Sequence, residues 1–247
     1  MTNSSLLDNI SIVLVDTKTP ANIGATARCM MNMGLNRLLL VNPPKDPDRS
    51  AFKLAAGADD ILNKAATFPS LADALADHGY SIAASRHTGR KRKNISTPRD
   101  MAQTALSLLA QNRVAIVFGN EVNGLEDKDV ALCNEITVIP AADAFPSLNL
   151  SHAVMIIAYE LHLASTAHLP ASEGAPLARI DDLERFYTHL QATLREIGFL
   201  EQDHPERMVF SLRQIFGRAR LSSRDVGILQ GVLSSMDRAA RAGNRDR

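Results

Sequence analysis

Five short runs of aliphatic residues punctuate the first part of the chain: Ile10–Val15, Arg37–Val41, Tyr80–Ala84, Arg113–Phe118 and Glu135–Ile139. Each is rich in Val, Ile or Leu, too short for a helix and apolar on successive positions, which predicts strands buried on both faces. The stretches between them change period. Ile23–Met33, Ser70–His78 and Arg99–Ala110 repeat apolar residues at helical spacing, and Thr97 with Pro98 makes a start signal for the last. Strands alternating with helices predict an α/β fold, a mostly parallel sheet covered on both faces. In such a sheet, binding residues occupy the loops at the carboxyl ends of the strands.

After the fifth strand the pattern becomes helical throughout. Leu148–Leu163 predicts a long apolar helix that closes a first domain, residues 1–165. Residues 166–178, with Pro170, Gly174 and Pro176, read as a linker, and residues 179–247 as a small all-helical extension. In that extension Leu183, Phe186, Tyr187, Leu190, Leu194 and Ile197 share one helical face, with Asp181 or Asp182 as cap. Pro205 opens a second helix through Phe216. Ser222 and Asp225 have capping-box spacing for a third, which carries Val226, Leu229, Val232 and Leu233.

Composition narrows the function. The chain has 247 residues, 45% of them hydrophobic, enough for a sizeable core. Its longest apolar run, Ala153–Ala158, cannot span a bilayer, and no signal-peptide pattern opens the sequence. Cys29 and Cys133 stand far from metal-ligand spacing and read as free thiols of a cytoplasmic protein. The formal net charge of zero conceals a division. Residues 86–99 hold six Lys/Arg and no acidic residue, and residues 207–247 hold nine against three. Between them, residues 100–206 hold five against sixteen. The two basic islands are either solvated surface or footprints for a polyanion such as RNA. Aromatic residues make up only 4%, so RNA contact would rely on charge more than on stacked rings.

Three strand-to-loop junctions collect candidate chemistry. PANIGATAR, Pro20–Arg28, offers Asn22 as a helix cap, Gly24 for close backbone approach to a ligand, and Arg28. VFGNEVNGL, Val117–Leu125, places Glu121 between Gly119 and Gly124. IPAADAFPSLNLSHAV, Ile139–Val154, crowds Ser147, Asn149 and Ser151 at a helix start, and simple capping accounts for one of the three. Dinucleotide, P-loop, H-E-x-x-H and Ser-His-Asp signatures are missing, which disfavours oxidoreductase and hydrolase readings. His152, His162 and His168 lie ten and six residues apart, a spacing of ordinary helix histidines that points to no metal.

In this order, the three junctions resemble the motifs of the SPOUT-class RNA 2′-O-methyltransferases of the TrmH type. The tail, with IDDLERFYTHL and EQDHP, resembles the helical extension of a tRNA-methylating branch, so the likeness runs from about Asn9 to Met236. The resemblance implies a trefoil knot tied by the segments of the second and third motifs, and a homodimer with its active site at the subunit interface. It implies S-adenosyl-L-methionine as methyl donor, no metal, and the ribose of tRNA nucleotide 32 as target. By the same resemblance Ser85, Arg86, His87, Gly119, Ile139, Ser147, Leu148 and Asn149 line the donor pocket. Asn22, Arg28, Glu121, Ser147 and Asn149 surround the transferred methyl. Arg28, Arg90, Lys91, Arg92 and Lys93, with Arg213, Arg218 and Arg220 of the tail, are the RNA contacts. Two positions depart from that branch, which usually has arginine where Asn120 stands and tyrosine where Phe145 stands. They bear on target preference, not on methyl transfer. The alternatives are a 2′-O-methyltransferase acting on another tRNA or rRNA ribose and a knotted RNA-binding protein without catalysis; the intact polar set speaks against the second.

Overall fold

The computed structural model describes residues 6–44, 49–86, 94–166, 175–200 and 205–243. They fall into two compact units, divided between Gly174 and Ala175. The first begins with a 3-10 turn at Leu6–Asn9 and continues through β1 (Ile10–Val15), α1 (Pro20–Asn32), β2 (Arg37–Val41), α2 (Arg49–Ala55) and α3 (Asp59–Asn63). Then come β3 (Ala66–Phe68), α4 (Leu71–Leu75), β4 (Tyr80–Ala84), β5 (Ile95–Ser96) and α5 (Pro98–Leu108). The unit ends with β6 (Val114–Phe118), α6 (Asp127–Ala131), β7 (Glu135–Thr137) and α7 (Leu150–Thr166).

The seven strands form one parallel sheet in the order β3-β2-β1-β6-β4-β7-β5. Its centre is the aliphatic set read from the sequence: every residue of β1 and β6 is buried. Ile12 lies between Leu38 and Ile116, and Ile82 continues the row from β4. The two short edge strands, β3 and β5, were not expected. Three and two residues long and partly exposed, they carry no periodicity, and ladder bonds to β2 and β7 define them. The fifth strand also stops at Thr137, two residues short of the expected Ile139.

Register matters more than strand count for the site. Ala84 pairs with Phe118 on one side and Thr137 on the other. The segments leaving β6, β4 and β7 therefore emerge together along one edge of the sheet.

Helix starts follow local chemistry. Thr97 caps α5 as expected, accepting from the Asp100 N–H at 3.3 Å. Arg99, counted in the first basic island, reaches Glu160 on α7 at 3.3 Å. Two features of α1 differ from expectation. Its N-cap is Thr19, so Asn22 sits inside the first turn with its side chain free for other work. Gly24 faces α2, where an added Cβ would lie 1.9 Å from the Ala51 carbonyl oxygen. The glycine permits close helix–helix contact at that face.

The second unit contains α8 (Ile180–Glu196), α9 (Pro205–Ala219) and α10 (Ser223–Gly243). Leu183, Phe186, Tyr187, Leu190 and Leu194 bury together with Val209, Val226 and Leu233. Ile197 and Val232 do not join them: both are exposed, Ile197 at the helix end and Val232 one residue round from the buried stripe. The cap of α8 is Arg179 without a side-chain bond, and Asp181 and Asp182 instead pair with Arg179 and Arg185. The capping box at Ser222 and Asp225 is formed, with reciprocal bonds of 3.3 and 2.8 Å. No described helix is long and apolar enough to cross a membrane.

Candidate active site

The shared sheet edge opens into a cavity of about 330 Å³. Ala84, Phe118 and Thr137 form its floor, the loop Gly119–Gly124 one wall, and Ile139 with Pro146–Leu148 the other. The first wall doubles back sharply. A Cβ on Gly119 would lie 2.0 Å from the Gly124 carbonyl carbon, so only glycine lets the two ends of this loop meet. Gly124 turns with a positive φ of 72°, and its N–H bonds to the Asn120 carbonyl at 3.0 Å.

From this wall Glu121 reaches across to α1. One carboxylate oxygen accepts from the Thr19 N–H at 3.2 Å and the Asn22 amide at 2.8 Å, and the other from the Lys18 N–H at 3.0 Å. Partial burial pushes the Glu121 carboxyl up, but the bonds from Lys18, Asn22 and Thr19 outweigh it and hold it below the usual range. The negative charge also sits at the positive end of α1.

The chain of bonds continues. Asn22 donates to Glu121, so its amide oxygen is left to accept from the Asn149 amide at 3.2 Å. The Asn149 oxygen in turn caps α7, accepting from the Ser151 N–H at 2.9 Å and hydroxyl at 2.7 Å. Polarity runs one way along this relay, and each asparagine retains one N–H without a partner among the described residues. The cluster can present donors to an incoming oxygen. With its oxygens already occupied and its pKa lowered, Glu121 is poorly suited to take a proton.

The structure thus brings Asn22, Glu121 and Asn149 into one hydrogen-bonded group beside the cavity, whose lining includes Gly119, Ile139, Ser147 and Leu148. Ser85 and Arg86 also line the cavity. Arg28 is elsewhere. Six residues along a helix rotate it about 240° from Asn22, and it is exposed on α1, outside the cavity lining and without a hydrogen-bond partner among the described residues. His87, Arg90, Lys91, Arg92 and Lys93 lie outside the described residues.

Arg213, expected as an RNA contact, has partners within the helical unit. Its guanidinium pairs with both Glu184 oxygens, at 2.5 and 2.7 Å, and stacks 4.3 Å from the Tyr187 ring centre. Arg218 and Arg220 are exposed. Ser151, given no role by the motif reading, is buried and completes the relay. Its position two residues past Asn149, at a helix start, was the available signal. Among the described residues no group of three or more His, Cys, Asp or Glu is placed to share a metal ion.

Comparison with known proteins agrees with the motif order. Residues 9–159 match the SpoU rRNA Methylase family and residues 181–245 the C-terminal domain of tRNA methyltransferase TrmJ. The tRNA (cytidine/uridine-2′-O-)-methyltransferase TrmJ of Pectobacterium atrosepticum is 39% identical over 237 residues, covering 94% of this chain and 98% of that protein. Its Escherichia coli O6:K15:H31 counterpart is 39% identical, covering 94% and 96%. The crystal structure of TrmJ from Z. mobilis ZM4 superposes with a TM-score of 0.80 at 34% identity, over 92% of this chain and 98% of that one. The SpoU methyltransferase AviRb from Streptomyces viridochromogenes, solved in complex with the cofactor AdoMet, shares the fold alone. Its TM-score is 0.52 at 20% identity, over 65% and 62% of the two chains. Parallel sheet, paired loops and helical tail therefore have one explanation: the chain belongs to the SpoU methylase family and carries the C-terminal domain of its TrmJ members.

Proposed function

We propose that this protein methylates the 2′-hydroxyl of a ribose in tRNA, at nucleotide 32 of the anticodon loop, using S-adenosyl-L-methionine. The observation that carries the reading is the Glu121–Asn22–Asn149 relay, whose spare N–H donors stand beside a cavity of ligand size. The names of the TrmJ relatives, 39% identical over most of the chain, support tRNA and ribose as substrate class.

The cavity fits such a donor. Phe118, Ile139 and Leu148 offer apolar contact for a purine, and the Gly119 turn leaves no side chain between ligand and backbone. Ser85, Arg86, Gly119, Ile139, Ser147, Leu148 and Asn149 would hold it. When bound, S-adenosyl-L-methionine supplies a sulfonium methyl whose positive charge disappears on transfer. What remains for the protein is orientation and charge control. Asn22 and Asn149 donate to the ribose oxygen and hold it in line for attack, and the hydroxyl proton passes to solvent as the oxygen–methyl bond forms and the sulfur–methyl bond breaks. Glu121 holds Asn22. Arg28, exposed and unpaired, takes the phosphate of the target nucleotide through its planar fork. The reading also carries the expected homodimer, trefoil knot and cytoplasmic setting, with residues 90–93 and Arg218 on tRNA phosphates.

The test is incubation with labelled donor and unmodified tRNA, followed by nucleoside-resolved mapping of 2′-O-methylation. Label at ribose 32 is the expected result. Binding of both ligands without transfer would leave only a knotted RNA-binding protein. Label in rRNA offered in a parallel incubation, and none in tRNA, would move the substrate to rRNA, the RNA of the SpoU rRNA Methylase family's name. In the same assay Arg28→Lys should lose most activity, because a lysine cannot reproduce a two-pronged contact.

A further inference from the structure

Asn120 is the residue of the cavity wall whose side chain bonds inward, within its own loop. Its amide oxygen accepts from the Val122 N–H at 3.0 Å and the Asn123 N–H at 2.8 Å, while its carbonyl accepts from Gly124. The outer edge of the loop needs such support. Val122 is 80% exposed, and Asn123 and Gly124 are exposed beside it. Glu121 fastens the loop to α1 on the far side, but its bonds leave the Val122–Asn123 peptides unconstrained. An unsupported run of three exposed residues samples many backbone states, and a ligand that needs one of them bears the ordering entropy.

We propose that Asn120 is a positioning residue: its side chain pre-shapes the Gly119–Gly124 wall and thereby sets affinity for S-adenosyl-L-methionine, without touching the reacting atoms. The inference rests on the reading that this cavity takes that donor. The chemistry required is a short side chain with an acceptor oxygen at the first corner of the turn. Aspartate supplies it; alanine does not, and arginine carries donors only.

The experiment measures binding of S-adenosyl-L-methionine and S-adenosylhomocysteine by calorimetry for wild type, Asn120→Ala and Asn120→Asp, with steady-state kinetics alongside. Asn120→Ala should weaken both ligands about tenfold, the scale of losing one to two neutral hydrogen bonds that order a loop. Asn120→Asp should recover to within about threefold of wild type. The change should raise KM for the donor several times more than it lowers kcat, and hydrogen exchange at Val122 and Asn123 should quicken in the alanine variant alone. Alanine binding as tightly as wild type would overturn the proposal, as would aspartate failing like alanine. If wild type itself binds neither ligand, the functional reading fails, and that result is separate from either of these.

Discussion

Replacing Glu121 by glutamine removes a charge while keeping shape, and the geometry sets the cost. Three donors converge on the carboxylate: two at one oxygen, from Thr19 and Asn22, and one at the other, from Lys18. A glutamine amide has one oxygen, so one of its ends must confront an N–H with an N–H. The less damaging orientation keeps Thr19 and Asn22 and opposes Lys18. Bonds to a charged acceptor contribute about 1.5–3 kcal/mol each, less where solvent reaches them. One lost and two weakened should destabilise the first unit by about 2 kcal/mol. At about 2–4 °C per kcal/mol, its calorimetric transition should fall by about 4–8 °C at pH 7. The folded-state pKa of Glu121 is lowered from 4.5, so its stabilisation is present above that value and lost as pH falls through the folded one. Wild-type and glutamine curves should therefore converge in acid. Activity should drop about tenfold, since a neutral amide oxygen holds the Asn22 amide less firmly than the carboxylate does. A variant melting within 1 °C of wild type across pH 3–7, with near-normal methyl transfer, would refute the relay.

Gly24→Ala should lower the denaturant midpoint, costing about 3 kcal/mol, because its Cβ meets the Ala51 backbone and the two helices must separate; an unchanged midpoint would contradict that packing. His78 is pushed down to about 4 by burial, then by the Arg37 and Arg113 charges, while its ring bonds Ser11 at 2.9 Å. The unfolded chain binds that proton near pH 6.5, so stability should decline by about 3 kcal/mol as pH falls from 6.5 to about 4. Urea titrations of wild type and His78→Asn would check it, the variant losing that slope. Arg213→Lys should destabilise the helical unit by about 1–2 kcal/mol in circular-dichroism melts, since lysine cannot both pair bidentately and stack on Tyr187. If the melt is unchanged while tRNA binding fails, Arg213 is an RNA contact after all.

Local pattern carried far in this chain. Each of the five aliphatic runs became a strand of the parallel sheet, because burial on both faces leaves a continuous apolar record. Thr97 and Ser222 were readable as caps since their partners lie three residues away. The ordered motifs were likewise enough for family membership. Tertiary structure decided what each polar residue is for. Glu121 meets Asn22 across 99 positions and Asn149 meets Asn22 across 127, separations at which no local periodicity operates. The same holds for Arg213, which charge counting groups with Arg218 until Glu184 and Tyr187 fold against it. It holds too for Gly24, a ligand-facing glycine by motif and a helix contact by packing. Apolar burial repeats along the chain and is written into it. Hydrogen-bond partnership depends on which strand ends the sheet register sets side by side, and that is settled only when the chain has folded.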